Sequence, residues 1–287
     1  MISHITIKAS GIEGTGNTLY DMKDDLGNLV FQAILGASFS GAGITYDIER
    51  GVATFTVSTE RLEGDGVPQV VQDGLQLYLS AGDTGSYPGS GTAWQDLSAN
   101  SYSATLVNGV GYSATVGGTL TFDGINDYVD VGQSLAYESF TVGAWFRSTS
   151  GGIKMILSKE TVAGNPWNYR IWLNGGTIVA DMSQVTTQSS LTSPLGTYND
   201  GGWYNVMFTR DDSTWRLYVN GTQVNTKADT YTGSVTNAQN VWVGRSTYLG
   251  GSYAYTGSIS EVMIYGRALS ASEILQNFEA TRSRFAV

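Results

Sequence analysis

The chain has 287 residues, of which 41% are hydrophobic and 14% charged, so it is too apolar for a disordered chain and too sparsely charged for a long helical assembly. The length allows two modest domains or one large β domain with a real core. A net charge of −10 without a Lys/Arg cluster argues against nucleic acid as a partner, and the lack of cysteine removes disulfides, zinc–thiolate sites and thiol nucleophiles.

Thirty-seven glycines and seventeen tyrosines, with many Ser, Thr and Asn residues, point to short strands joined by tight turns. Residues 1–59 read as a small β domain with strands at Ile2–Lys8, Thr18–Lys23, Asn28–Leu35, Ile44–Ile48 and Val52–Ser58. Glycines at Gly27 and Gly51 end the two intervening turns, where positive φ is needed. A segment this small buries little surface alone. The N-terminus has neither the charged start nor the apolar core of a secretory signal. The chain is therefore expected to stay in a cytoplasm, to be released by lysis, or to have lost a leader. No apolar run approaches the roughly 18 residues that span a membrane, so no membrane insertion is expected. Residues 60–73 mix charge, Gly and Pro as a linker does.

From Gly74 the strand rhythm is denser. Strands are expected at Leu75–Leu79, Thr119–Phe122, Tyr128–Val131, Phe140–Phe146, Lys154–Ser158, Tyr169–Leu173, Thr177–Asp181, Trp203–Arg210, Trp215–Asn220, Asn240–Gly244 and Gly257–Tyr265. Phe140, Val142, Ala144 and Phe146 alternate onto one face, as do Tyr204, Val206 and Phe208. Asn220-Gly221 is a hairpin turn signal; as the start of a glycosylation sequon it carries less weight. One helix is expected, Ala271–Ala280, with Ser270 and Glu273 forming a capping box and Ile274 and Phe278 facing a sheet. The tail, 281–287, is expected to be peripheral.

Five stretches carry a resemblance. They are Gly74–Asn100, LTFDGINDYVDVG at 120–132, SFTVGAWFRS at 139–148, WYNVMFTRDDSTWRLYVNGTQV at 203–224 and GSISEVMIYGRALSASEI at 257–274. Together, and in this order, they resemble the laminin-G-like branch of the concanavalin A-like superfamily. The first is similar to segments of phage tail-fibre and other virion proteins. The resemblance implies an all-β chain: a small N-terminal β domain, then a two-sheet antiparallel jelly-roll-like sandwich over 74–287 with one short C-terminal helix. Members bind glycans, proteins or calcium, and fold alone does not choose among these.

Asp123 and Asp127, with the Asn126 carbonyl and Asp130 nearby, offer oxygen ligands for calcium, and the resemblance makes Asp123 a candidate. The competing reading has these side chains holding a turn. The closing strand carries Ser260 where the family usually places an aspartate before the glutamate, here Glu261. Seven tryptophans are many for one domain. Trp145, Trp203 and Trp215 fit core packing. Exposed aromatic rings stack on sugar faces, and two loops combine aromatics with polar partners: Trp167 with Asn165 and Asn168, and Tyr248 with Tyr253 and Tyr255. These loops are the expected glycan or receptor surface. His4 is the only histidine and lies outside the sandwich, which argues against a catalytic triad or a histidine-based zinc site. The Glu-x-Asp-x-x-Glu pattern of the superfamily's glucanases is absent.

These features favour a non-enzymatic phage virion surface protein, of capsid-decoration or tail-fibre type. Its N-terminal segment would dock on other virion proteins and its sandwich could engage host glycans. A carbohydrate-binding module of a bacterial surface or secreted protein is the alternative. A homotrimer is compatible with decoration proteins and fibres, although no heptad repeat enforces one.

Overall fold

The computed structural model describes residues 6–8, 19–23, 29–34, 44–49, 52–57 and 69–287, the last range apart from 162–166, 185–186, 232–235 and 247–252. For the strands before residue 58, and for Trp167, Gln184 and Thr187, only the backbone is described. The chain divides into two compact units, Met1–Val67 and Pro68–Val287.

In the first unit, β1 (Thr6–Lys8), β5 (Val52–Val57) and β4 (Ile44–Glu49) form an antiparallel sheet in that order. Glu49 pairs with Val52, which closes the β4–β5 hairpin. β2 (Leu19–Lys23) and β3 (Leu29–Ile34) form a separate hairpin. Each strand lies within the bounds read from the sequence, to within a residue at the ends. Alternation with a glycine-bearing turn between two runs was sufficient to place them.

The second unit begins at Pro68 rather than at Gly74, because Val70 and Val71 are already buried with Leu75 and Tyr265. The end of the expected linker is thus packed chain. Two eight-stranded antiparallel sheets follow. The first runs β19 (Thr222–Ala228), β18 (Thr214–Val219), β17 (Trp203–Arg210), β12 (Phe140–Arg147), β21 (Thr256–Tyr265), β10 (Thr119–Asp123) and β9 (Gly111–Ser113), and β6 (Leu75–Ser80) also pairs with β21. The second runs β16 (Thr187–Thr192), β15 (Thr177–Gln184), β14 (Trp167–Asn174), β13 (Ile153–Lys159), β20 (Trp242–Val243), β11 (Tyr128–Asp130), β8 (Ser103–Val107) and β7 (Ala93–Gln95).

Alternation decides which side chains meet between the sheets. Phe140, Val142, Ala144 and Phe146 of β12 and Val206 and Phe208 of β17 enter one core with Tyr169, Ile171 and Leu173 of β14 and Ile178, Ala180 and Met182 of β15. Each fully buried Phe, Leu or Ile contributes about 1.5–3 kcal/mol by leaving water. Gly143 lets β12 and β17 approach, since a Cβ there would lie 2.2 Å from the Val206 carbonyl oxygen. Asn220 and Gly221 turn the β18–β19 hairpin with φ of 49° and 74°.

The outer face of the first sheet is apolar and covered. Helix α1 (Ala271–Thr281) starts at Ser270 with the expected capping box. Ile274 packs with Met207, Tyr218, Met263 and Tyr265, and Phe278 stacks on Trp145 at 5.7 Å. The tail is not peripheral. Phe285 stacks on Trp145 at 4.0 Å and tilts against Trp203 at 5.0 Å, and Arg284 pairs with Glu261. Ser260 fills the position of the missing aspartate: its hydroxyl donates to the Gly118 carbonyl (2.8 Å) and accepts from Arg284 (3.1 Å). The composition of a seven-residue tail does not disclose that one of its arginines has a buried carboxylate to reach.

Candidate functional site: the outer face of the second sheet

With Tyr169, Ile171, Leu173, Val129 and Val243 pointing into the core, their strand neighbours point outward. Cross-strand registers align Ala93, Thr105, Asp130, Trp242, Ser158, Arg170, Asp181 and Ser190 in one row across all eight strands. Tyr128 and Trp172 lie on the same face, two residues from Asp130 and Arg170 respectively. Ser158, Arg170 and Asp181 in the middle of the row are buried, whereas Asp130 and Trp242 are half-buried.

The half of the row toward β16 is ionic and buried. Arg170 donates through Nε to Asp181 Oδ1 (2.7 Å), through Nη2 to Asp181 Oδ2 (2.5 Å) and through Nη1 to Glu160 Oε1 (2.9 Å). Ser246 donates to Glu160 Oε2 (2.5 Å), and Trp172 Nε1 and Gln188 Nε2 donate to Asp181 Oδ2 at 3.2 and 3.0 Å. Burial opposes the charge on Arg170, but the hydrogen bonds and charges of Asp181 and Glu160 outweigh it and hold the guanidinium above its ordinary pKa. Both oxygens of each carboxylate are engaged. Neither is left as the free acid or base that glycoside hydrolysis requires. The cluster fixes Trp172, whose ring remains half-buried.

The other half is aromatic and more open. Tyr128 and Trp242 stack with centroids 4.4 Å apart and 29° between planes, and both are half-buried. The Arg245 guanidinium lies 5.4 Å from the Tyr128 centroid. Asp130 accepts from the Gly132 N–H (2.8 Å) and from Asn240 (3.0 Å), which sets the edge beside Trp242. Buried Lys159 holds the chain ahead of β20: its ammonium donates to the Asn237 carbonyl (2.8 Å) and side-chain oxygen (3.0 Å) and to the Gln239 carbonyl (2.6 Å). Burial lowers its pKa to about 8.

Among the described residues expected to bind a ligand, Tyr255 and Asn168 are buried and offer it no surface. Tyr255 is wholly buried, edge-on to Phe122 at 5.8 Å, with its hydroxyl donating to the Arg147 carbonyl (2.9 Å); burial raises the phenol's pKa. It is a core residue. Asn168 is also wholly buried and donates to the Tyr137 carbonyl (3.3 Å), so it presents nothing to a ligand. Tyr253 is half-buried. Asn165 and Tyr248 lie outside the described residues, as does the side chain of Trp167. Trp145, Trp203 and Trp215 are buried, as packing requires. In the sequence, a two-residue strand and a family motif give no sign that the outward faces of Trp242 and Tyr128 meet.

Asp123 and Asp127 hold a turn. Asp123 Oδ1 accepts from the Ile125 N–H (2.7 Å), and Asp127 Oδ2 from the Asp123 N–H (3.1 Å). Asp127 Oδ1 is buried without a partner, and burial raises the acid's pKa. A hard cation takes six to eight oxygens. Among the described residues no three acids or histidines gather, and the Asn126 carbonyl already accepts from Asn108 (2.9 Å) and Arg245 (3.4 Å). A guanidinium at that carbonyl opposes a second cation, and the donor set does not fit calcium.

Comparison of the sequence with curated proteins gives no match. Similar folds occur in the binding domain of Paraclostridial Mosquitocidal Protein 1 (TM-score 0.58, 18% identity, 72% of this chain and 52% of that one) and the receptor-binding domain of botulinum neurotoxin D (0.56, 16%, 72% and 53%). A third is the binding domain of botulinum neurotoxin DC in complex with SialylT (0.56, 12%, 73% and 52%). The chain spans about half the length of these domains, and at such identities the likeness is one of fold. The family model described as the concanavalin A-like lectin/glucanases superfamily, of laminin-G type, matches residues 123–275. That is more than half of the chain, and the protein belongs to this superfamily.

Proposed function

We propose that the sandwich is a non-catalytic glycan-binding module whose ligand lies on the outer face of the second sheet, against Trp242 and Tyr128. The observation that carries this reading is the contrast in cover: the apolar face of the first sheet is closed by α1 and the tail, while the second presents half-buried aromatic rings among polar side chains. Sugar rings stack on such surfaces, with polar neighbours fixing their orientation. The engagement of Glu160 and Asp181 with Arg170 supports binding rather than hydrolysis. Binding domains of similar fold, one of them in complex with SialylT, are consistent with this role. The test is a broad glycan panel probed with the wild type and with Trp242→Ala. At least one saccharide should bind the wild type and be lost in the variant. Binding that the variant retains in full would place the site elsewhere.

The finer setting we propose is the surface of a phage virion, as a capsid decoration or tail-fibre component, with the first unit docking on another virion protein. The resemblance of Gly74–Asn100 to virion proteins and the separate compact unit at Met1–Val67 support it. Deleting residues 1–59 should then abolish incorporation into particles while leaving glycan binding intact; incorporation at the wild-type level would exclude the docking role. In that event a carbohydrate-binding module of a bacterial surface or secreted protein would be the better assignment.

A further inference from the structure

The charge pairing of the arginines narrows the kind of sugar. Among the described residues, Arg170, Arg210, Arg216, Arg267, Arg282 and Arg284 each form an ion pair with a carboxylate. Arg245 does not. Its Nη1 reaches only the Asn126 carbonyl at 3.4 Å, and its Nε is buried without an acceptor. The side chain is half-buried beside Tyr128, which stacks on Trp242. Asp123 and Asp127, which flank the Asn126 that Arg245 reaches, accept from backbone N–H groups of their own turn, Asp130 accepts from Gly132 and Asn240, and none of the three forms an ion pair with Arg245.

A guanidinium is a planar fork that matches a carboxylate, and it is less strongly hydrated than an ammonium. Set beside an aromatic pair, it offers one ligand two complementary surfaces: rings for the apolar face of a sugar and N–H donors for an acid group on that sugar. We propose that Tyr128, Trp242 and Arg245 form a site selective for a saccharide that carries a carboxylate, a uronic or sialic acid unit. This inference rests on the glycan-binding reading and deepens it. The protein's overall negative charge repels anions at long range, so selectivity must come from the local contact with Arg245 and not from steering.

The experiment compares matched probes by calorimetry on the full chain: 3′-sialyllactose against lactose, and trigalacturonate against galactotriose. One acidic probe should bind about tenfold or more tighter than its neutral partner, the scale of a charge-assisted hydrogen bond. The preference should shrink as salt rises. Which acid is preferred separates a sialic from a uronic ligand. Arg245→Gln should abolish the preference, while Arg245→Lys, which retains the charge, should keep part of it. Equal binding of acidic and neutral probes by the wild type, or a preference that survives Arg245→Gln, overturns the inference and leaves the glycan-binding reading standing. Binding of none of the four overturns this inference, and an empty broad panel then removes the glycan-binding reading as well.

Discussion

The two outer faces of the sandwich solve one problem in opposite ways. A strand in a two-sheet stack turns half its side chains away from the core, and those must suit water or be covered. On the first sheet they are Trp145, Trp203, Met207, Met263 and Tyr265, and α1 with the Phe285 tail closes over them. On the second they are Arg170, Asp181, Glu160 and polar neighbours, which satisfy one another, with aromatic rings left half-open between them. The ionic half of the second face is buried and satisfies itself, and only the half at Tyr128 and Trp242 stays partly open to receive a ligand. In this account the ion cluster serves recognition indirectly, by keeping the sheet beside that opening ordered.

The largest effect should come from breaking the ion cluster. Arg170→Met would leave Glu160 and Asp181 buried and unpaired, at a cost of about 3–5 kcal/mol in denaturant unfolding. The more exposed Arg216–Asp211 pair is the control, and Arg216→Met should cost no more than about 1 kcal/mol. Next, Trp145→Ala should cost about 3–5 kcal/mol by opening a cavity beneath Phe278 and Phe285, with sugar binding unchanged in the folded fraction. Trp242→Ala should reverse the pattern, with binding lost and a far smaller stability change, since its ring is half in water.

A pH series sharpens the contrast further. Burial raises the Glu261 carboxyl from an ordinary 4.5 to about 7 despite the attraction of Arg284. The folded chain then holds a proton that the unfolded chain has released between those values. This group's stabilisation is full below about 4.5 and is lost as pH rises through about 7. Glu261→Gln should flatten that part of the profile. Asp211 and Glu273 act in the opposite sense: their pKa values fall to about 2, so their contribution is present above the ordinary carboxylate range and is lost as pH falls toward 2. The smallest effect concerns calcium. With Asp123 and Asp127 committed to their turn, calcium or a chelator should leave the melting temperature unchanged, and a saturable upward shift would restore a metal site there.

Legibility in the sequence followed the strength of local signals. Trp203–Arg210 was placed to the residue because its core positions alternate with its outer ones, and α1 was placed by its capping box. The strand Thr187–Thr192 was missed, since TQSSLT at a sheet edge is nearly all polar. So were the three short strands between Ala93 and Ser113, which depend on pairing for their existence. For the site, residue type misled. Tyr255 and Asn168 look like loop residues fit for a sugar, yet one fills the core and the other is sealed behind the Tyr137 backbone. Trp242 sits in a two-residue strand and becomes meaningful only when the register sets Asp130 on one side and Ser158 on the other. That Arg245 lies beside Tyr128 without a carboxylate partner is a property of the fold, and no spacing in the chain announces it.

The most direct test of the open face is hydrogen–deuterium exchange of the full chain with and without the best-bound saccharide of the panel. The account predicts added protection at residues 128–130, 170–172 and 242–245 and none at 145–147, 203–205 or 281–287. Protection confined to the first sheet and its C-terminal cover would contradict it.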